Sequence, residues 1–322
     1  MPTVLLVEPI HSHYQRLLER RCRVIRPQGY SERALILAAR ACDAIVIRTQ
    51  GCVSAKVIAA APNLRVIGRH GVGLDHIDLA AAERAGVWVV STPAGSLAAV
   101  AEHTWMMILA LAKHAKSGDA AVRRRTYDFR TQHESLELAG KTLGVLGLGR
   151  IGTRVAEIAR AMGMHVLYTD LLKFAAKERC LKARRVSLAR LLAASDVFTL
   201  HVPLTSATRG IIGARELQRM KPGALLINCA RGALLDTYAV AQALREDRLG
   251  GAGIDVFDPE IPPRTHPLLK QPNALLSPHN AAQTAEARFN YAAVVWDVLR
   301  VLDGRSPLYP ANRPRDRQLR RT

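Results

Sequence analysis

The chain has 322 residues, 49% hydrophobic and 23% charged, a globular balance that excludes a fibrous or disordered chain and favours two domains of ordinary size over one. No stretch reaches the roughly 18 apolar residues a bilayer-spanning helix needs, and residues 1–10 lack the basic start and cleavage site of a signal peptide. A net charge of +19, from 46 Lys and Arg against 27 Asp and Glu, raises nucleic acid as a partner. That excess is not concentrated: residues 98–283 hold 26 basic and 16 acidic side chains, the remainder 20 and 11, and 37 of the 46 basic residues are Arg. It reads as an Arg-biased composition, with neither a nucleic-acid nor a membrane partner expected. The five cysteines are odd in number, scattered and without CxxC spacing, so reduced thiols, no metal site and a cytoplasmic setting are expected.

Short apolar, β-branched runs at 4–7, 44–47, 64–67 and 87–90 alternate with helical patterns, and a second series follows at 143–146, 165–168, 197–201, 224–227, 253–257 and 274–276. Alternation of this kind is the βαβ signature, and continuous apolarity within the runs implies parallel sheets covered on both faces. The fold class expected is therefore α/β, with two doubly wound parallel-sheet domains. Two long helical patterns, at 97–116 and 284–301, mark the crossings between them, and the Arg-rich segment 313–322 reads as a solvated tail.

The strongest local motif is GLGRIG at 147–152, preceded by a strand and followed by a helix whose Ile151, Val155, Ile158, Ala159 and Met162 share one face. In such a turn Gly147 permits the tight bend, Gly149 lets backbone amides approach a pyrophosphate, and Gly152 allows close packing of helix on strand. A glycine-rich turn without a ligand is the alternative. Asp170, 18 residues beyond Gly152, stands where a carboxylate can accept from a ribose hydroxyl and repel a 2′-phosphate, which favours NAD; a helix N-cap is the plainer role.

Three successive strands of the second series end near Arg231, Glu260 and His279, and ligands of open α/β sheets bind outside the carboxyl ends of strands. Imidazole suits the proton transfer that accompanies hydride transfer at a carbon–oxygen bond, a carboxylate beside it would favour the imidazolium and orient the ring, and a guanidinium offers a fork for a substrate carboxylate. Taken singly, each has an ordinary explanation as a turn histidine, a loop acid or an ion-paired arginine. In one sheet with a dinucleotide loop, they point to an oxidoreductase.

Seven motifs in order, RHGVGLDHIDL (69–79), VAEHT (100–104), GLGRIG (147–152), HVPLT (201–205), NCARGALLD (228–236), GIDVFDPE (253–260) and SPHNAAQT (277–284), make the chain resemble the D-isomer-specific 2-hydroxyacid dehydrogenases, and among them the D-3-phosphoglycerate dehydrogenases. The resemblance implies an NAD-binding Rossmann domain at 98–283 and a flavodoxin-like substrate domain at 1–97 completed by 284–322, assembled as a homodimer. It implies that Arg231 anchors the substrate and that His279 with Glu260 is the acid/base. It also implies cofactor contacts from Arg150 and Ile151 to the pyrophosphate, Asp170 to the ribose, Asp255 to the nicotinamide carboxamide, and the backbones of Val202, Pro203, Cys229 and Ala230. Substrate contacts are implied at Arg48 and at Gly71, Val72 and Gly73. The implied reaction interconverts a small D-2-hydroxy acid and its 2-keto acid. Candidate substrates are 3-phosphoglycerate, glyoxylate and hydroxypyruvate; an NAD-sensing, non-enzymatic role of the corepressor type is the alternative. Ser96 stands where that family usually has Asn, and Asn280-Ala281-Ala282 replaces a more frequent Gly-containing form, which leaves substrate identity open.

Overall fold

A computed structural model describes residues 1–314, so most of the expected tail lies outside the described residues. The chain divides into two compact units, Met1–Ser96 with the described part of Gln283–Thr322, and Leu97–Ala282. Among the described residues, no helix is long and apolar enough to cross a membrane.

The first unit is built on five parallel strands, β1 (Thr3–Leu6), β2 (Arg23–Ile25), β3 (Ala44–Ile47), β4 (Val66–Arg69) and β5 (Trp88–Val90), in the order β2-β1-β3-β4-β5, the flavodoxin-like order. Successive side chains of a strand point to opposite faces, and here both faces are buried: Leu5, Ile45 and Ile47 enter one core, Val4, Leu6, Ala44 and Val46 the other. Ser31, Ser54 and Asp78 each accept a backbone amide at a helix start, which sets where those helices begin.

The second unit carries seven strands, β6 (Thr142–Leu146), β7 (His165–Thr169), β8 (Arg184–Arg185), β9 (Val197–Leu200), β10 (Ala224–Asn228), β11 (Leu249–Ile254) and β12 (Ala274–Leu276), all parallel, in the order β12-β11-β10-β9-β6-β7-β8. The winding runs outward from β6 through β7 to β8, then restarts at β9 and runs the other way. The crevice between β6 and β9 is thus the switch point at which open α/β sheets bind ligands.

Several elements differ from the sequence expectation for local reasons. Strands β2 and β8 were not expected: both are short edge strands, the latter two exposed arginines, and neither presents an apolar run. Strand β11 lies at Leu249–Ile254 rather than 253–257, because Gly250, Gly251 and Gly253 disguise a strand as a turn. The structure shows what those glycines do: a Cβ at Gly253 would stand 3.0 Å from the Cβ of Met107, and one at Gly251 would stand 3.0 Å from the Cδ2 of Leu111. They let the helix Leu97–Ala112 lie directly on the sheet. That helix stops four residues before the expected end, at a left-handed His114 (φ 52°), after which a separate helix runs over Ala115–Arg124. The helix expected at 284–301 is likewise two, Ala285–Ala292 and Val294–Leu302.

Close approach also limits the first unit, where a Cβ at Gly68 of β4 would come 2.6 Å from Cγ2 of Val298 in the last helix. Gly68→Ala is expected to destabilise the protein by about 1–3 kcal/mol through overpacking. A lowered thermal midpoint, partly restored by adding Val298→Ala, checks this; an unchanged midpoint refutes it.

Candidate active site

The glycine turn follows β6. Gly147 has φ +95°, and a Cβ there would lie 2.8 Å from the carbonyl oxygen of His201 and from Cγ1 of Val202, so Val202, just past β9, closes on the turn. At Gly152 a Cβ would sit 2.0 Å from the Gly147 carbonyl oxygen, so any side chain would push the helix Arg150–Ala161 off the strand. Gly149 has nothing within 4 Å of its Cβ position, and that open space faces the start of the helix. The first helical bond runs from Thr153 N to the Gly149 carbonyl, leaving the amides of Arg150, Ile151 and Gly152 ahead of the helical ladder. The turn's carbonyls are held: the Thr153 hydroxyl donates to Leu148 and Gly149, and Lys177 Nζ donates to Leu148 at 2.8 Å. A helix start with open amides, facing space rather than side chain, suits an anionic pyrophosphate.

Asp170 follows β7 and is not a helix N-cap. Its Oδ2 accepts from Leu148 N at 2.8 Å and its Oδ1 from Leu172 N at 3.0 Å, which ties it to the glycine turn. Beside it opens a depression of about 670 Å³ lined by Thr169, Asp170, Lys173, Arg184, Arg185 and Ser187 among others. The donor set, the room over Gly149 and the placed carboxylate fit a dinucleotide.

At the same edge, β10, β11 and β12 are neighbours and deliver their loops side by side. Buried Asn228 staples the first loop: its amide nitrogen donates to the Arg231 carbonyl at 2.8 Å and its oxygen accepts from Ala230 N at 3.0 Å. Arg231 Nη1 donates to the Ala230 carbonyl at 2.7 Å. Gly232 presses this loop onto the next, since a Cβ there would stand 2.1 Å from the carbonyl carbon of Phe257. Cys229 is buried with Sγ 3.8 Å from the Met107 sulfur, and burial pushes its thiol up to about 12, so it remains a neutral thiol. The Pro203 carbonyl accepts from the Thr208 hydroxyl at 2.7 Å.

His279 and Glu260 come together: Nδ1 lies 2.6 Å from Oε1, with both side chains reaching solvent. Arg231 is at the same edge, with its guanidinium folded towards its own loop. The Asp255 side chain is fully buried, and both carboxylate oxygens accept from the protein. Burial alone would raise its pKa, but hydrogen bonds from His103, Ser277, Ala281 N and Asn280 N outweigh it and hold the carboxyl below its ordinary value. His103 and Ser277 were not singled out from sequence. The available signal was a histidine in helical step with buried Val100 and Met107.

In the first unit, Arg48 follows β3 and the Gly71-Val72-Gly73 loop follows β4, on adjacent strands. Buried Arg69 donates to the carbonyls of Arg48, His70 and Gly73, while buried Glu8 accepts from the amides of Thr49 and Gln50 and the Thr49 hydroxyl. One buried cation and one buried anion therefore set the shape of both loops, another feature not foreseen from sequence.

Residues 105–281 match the family model described as D-isomer specific 2-hydroxyacid dehydrogenase, NAD binding domain. The chain belongs to the D-isomer-specific 2-hydroxyacid dehydrogenase family. Within that family it is 39% identical over 295 residues to a D-3-phosphoglycerate dehydrogenase of Archaeoglobus fulgidus, covering 91% of this chain and 55% of the relative. It is 40% identical over 264 residues to a glyoxylate reductase of Aeropyrum pernix, covering 80% of this chain and 79% of the relative. The D-lactate dehydrogenase of Aquifex aeolicus, solved with NAD and lactic acid, superposes with a TM-score of 0.86 at 30% identity, over 94% of this chain and 96% of that one. The chain spans about half the length of the curated D-3-phosphoglycerate dehydrogenases it matches. As a family member it takes NAD as cofactor, and the glycine turn and Asp170 are the residues that would hold it.

His70, in the loop next to Gly71, is buried with Nδ1 lacking a hydrogen-bond partner, and burial together with the nearby Arg48 charge lowers its pKa to about 4. The folded value lies below the unfolded value of 6.5, so the stability of the neutral ring is full above about pH 6.5 and is lost as pH falls towards 4. The slope expected from this group is about 1.4 kcal/mol per pH unit in that window. His70→Gln should flatten the acid limb of a denaturation-against-pH series, and an unchanged limb would remove His70 from it.

Proposed function

We propose that the protein is an NAD-dependent oxidoreductase that interconverts a small D-2-hydroxy acid and its 2-keto acid. The observation that carries this reading is the 2.6 Å His279–Glu260 pair, at the same carboxyl edge of the sheet as the dinucleotide turn. When bound, the nicotinamide supplies or accepts the hydride. His279, oriented through Nδ1 by Glu260, gives a proton from Nε2 to the carbonyl oxygen in reduction and takes it back in oxidation. Arg231 binds the substrate carboxylate and polarises the carbonyl, which lowers the barrier by stabilising charge on that oxygen. Arg48 and the amides of the Gly71-Val72-Gly73 loop supply further anion contacts. The named relatives support two substrate types, 3-phosphoglycerate with its keto acid and glyoxylate. Asp170 favours NAD over NADP. The reading includes the cytoplasm, where five free cysteines would stay reduced.

Loss of NADH absorbance is expected on adding phosphohydroxypyruvate, hydroxypyruvate or glyoxylate, and a flat trace across all three would refute the reading. His279→Ala should lower kcat by about 10²–10⁴-fold while NADH binding is retained. Full activity in that variant would remove the histidine from the mechanism.

A homodimer belongs to the same proposal. Met106, Leu109, Val122 and Tyr127, on and just after the helices Leu97–Ala112 and Ala115–Arg124, expose large apolar surface that a second copy would cover. Light scattering should give twice the chain mass, shifting towards the monomer in Val122→Asp; a monomeric wild type would overturn it.

A further inference from the structure

We propose that Lys177 is a positioning residue for the cofactor: its ammonium holds the Leu148 carbonyl and thereby fixes how the glycine turn presents its amides. The inference rests on the glycine turn as the seat of the dinucleotide. Leu148, between Gly147 and Gly149, is held at both of its backbone polar atoms by the segment that follows β7. Its N–H donates to Asp170 Oδ2 at 2.8 Å, and its carbonyl accepts from Lys177 Nζ at 2.8 Å. A carboxylate thus takes the N–H and an ammonium the carbonyl of one residue, and charge-assisted bonds of this kind are stronger than neutral ones. The same carbonyl also accepts from the Thr153 hydroxyl at 3.1 Å.

The peptide between Leu148 and Gly149 is trans, so its N–H points opposite to its carbonyl. With the Leu148 carbonyl drawn towards Lys177, the Gly149 N–H is turned away from the helix Ala175–Leu181. Gly149 is also the glycine of the turn whose Cβ position has nothing within 4 Å, unlike Gly147 and Gly152. Lys177 is itself braced for this hold. Its Nζ lies 4.1 Å from the centre of the Phe174 ring, a cation–π contact. Buried Tyr168 sets Phe174 in turn: its hydroxyl accepts from Phe174 N at 3.3 Å and donates to Glu178 Oε1 at 2.8 Å. Desolvation lowers the pKa of the ammonium, Asp170 opposes that and Arg150 adds to it. A cation folded against a carbonyl and a ring, rather than extended into water, acts as a fastener and not as a solubilising charge.

NADH binding, read by fluorescence without substrate, tests the assignment. Lys177→Met keeps the length and packs on the Phe174 ring without donating, so the NADH Kd should rise about tenfold. Lys177→Arg, which keeps a cationic donor, should return most of that loss. A Kd within twofold of wild type in the methionine variant, or equal losses in both variants, would overturn the proposal. The competing role is a direct ion pair between Lys177 and the phosphates, which predicts that Lys177→Met also flattens the dependence of Kd on salt. A hold exerted through the Leu148 carbonyl predicts parallel slopes, so a flattened slope counts decisively against it. Should Lys177→Met not fold, Phe174→Leu tests the same hold by removing the ring beneath the ammonium: the NADH Kd should rise, and an unchanged value would overturn the proposal. Gly149→Val separates this inference from the one beneath it, because the open space admits the side chain in the free protein but fills the place of the pyrophosphate. If Gly149→Val abolishes NADH binding while Lys177→Met leaves it unchanged, the role of Lys177 is wrong and the seat stands. Wild-type binding in Gly149→Val defeats the reading on which this one rests.

Discussion

Parallel pairing of every strand in the second unit is the constraint from which its chemistry follows. Seven strands pointing the same way deliver seven carboxyl ends to one edge, and each end releases a loop that no ladder hydrogen bond claims. The glycine turn, Asp170, Val202, Arg231, Asp255, Glu260 and His279 all sit on such loops. Residues 132 positions apart in sequence, from Gly147 to His279, thus share one edge without any device beyond strand direction. Close approach then tightens the arrangement: at Gly147, Gly152 and Gly232 the backbone of one loop lies where a side chain would otherwise be.

Much of this was legible in the sequence because it depends on local chemistry. A strand followed by GLGRIG and an amphipathic helix announces its own geometry, and the continuous apolarity of Val197–Leu200 or Ala224–Asn228 declares burial on both faces. What was not legible depends on partners distant in the chain. The glycines of β11 look like a turn until the helix they make room for is known, and edge strands β2 and β8, three and two residues long, are too short to show an apolar run. His103 and Asp255 are 152 positions apart, and no spacing rule connects them. Asp255 is the instructive case: its motif position says nothing of the four donors, from His103, Ser277, Asn280 N and Ala281 N, that surround its carboxylate.

The large positive charge is the feature that fold and site reinterpret most. Several of its cations are internal fasteners: Arg69 holds three carbonyls, Arg65 and Arg160 each hold one, and Lys177 holds the glycine turn. Others stand around the depression beside Asp170, where Lys173, Arg184 and Arg185 would favour an anion such as a dinucleotide. Charge of this kind needs no polyanionic partner to account for it.

The buried Arg69 and Glu8 pair has a consequence for how such a protein can change over evolutionary time. Because these two ions hold the backbone of the Arg48 and Gly71 loops through carbonyls and amides, loop shape does not depend on the side chains that point outward from them. Replacing Arg48 or Val72 alters what the loops can recognise while leaving the scaffold that presents them intact. Under the proposed function, single outward-facing substitutions there would change what the loops bind without first removing the bonds that hold them. A chain built this way can vary the rim of these two loops while their framework stays constant.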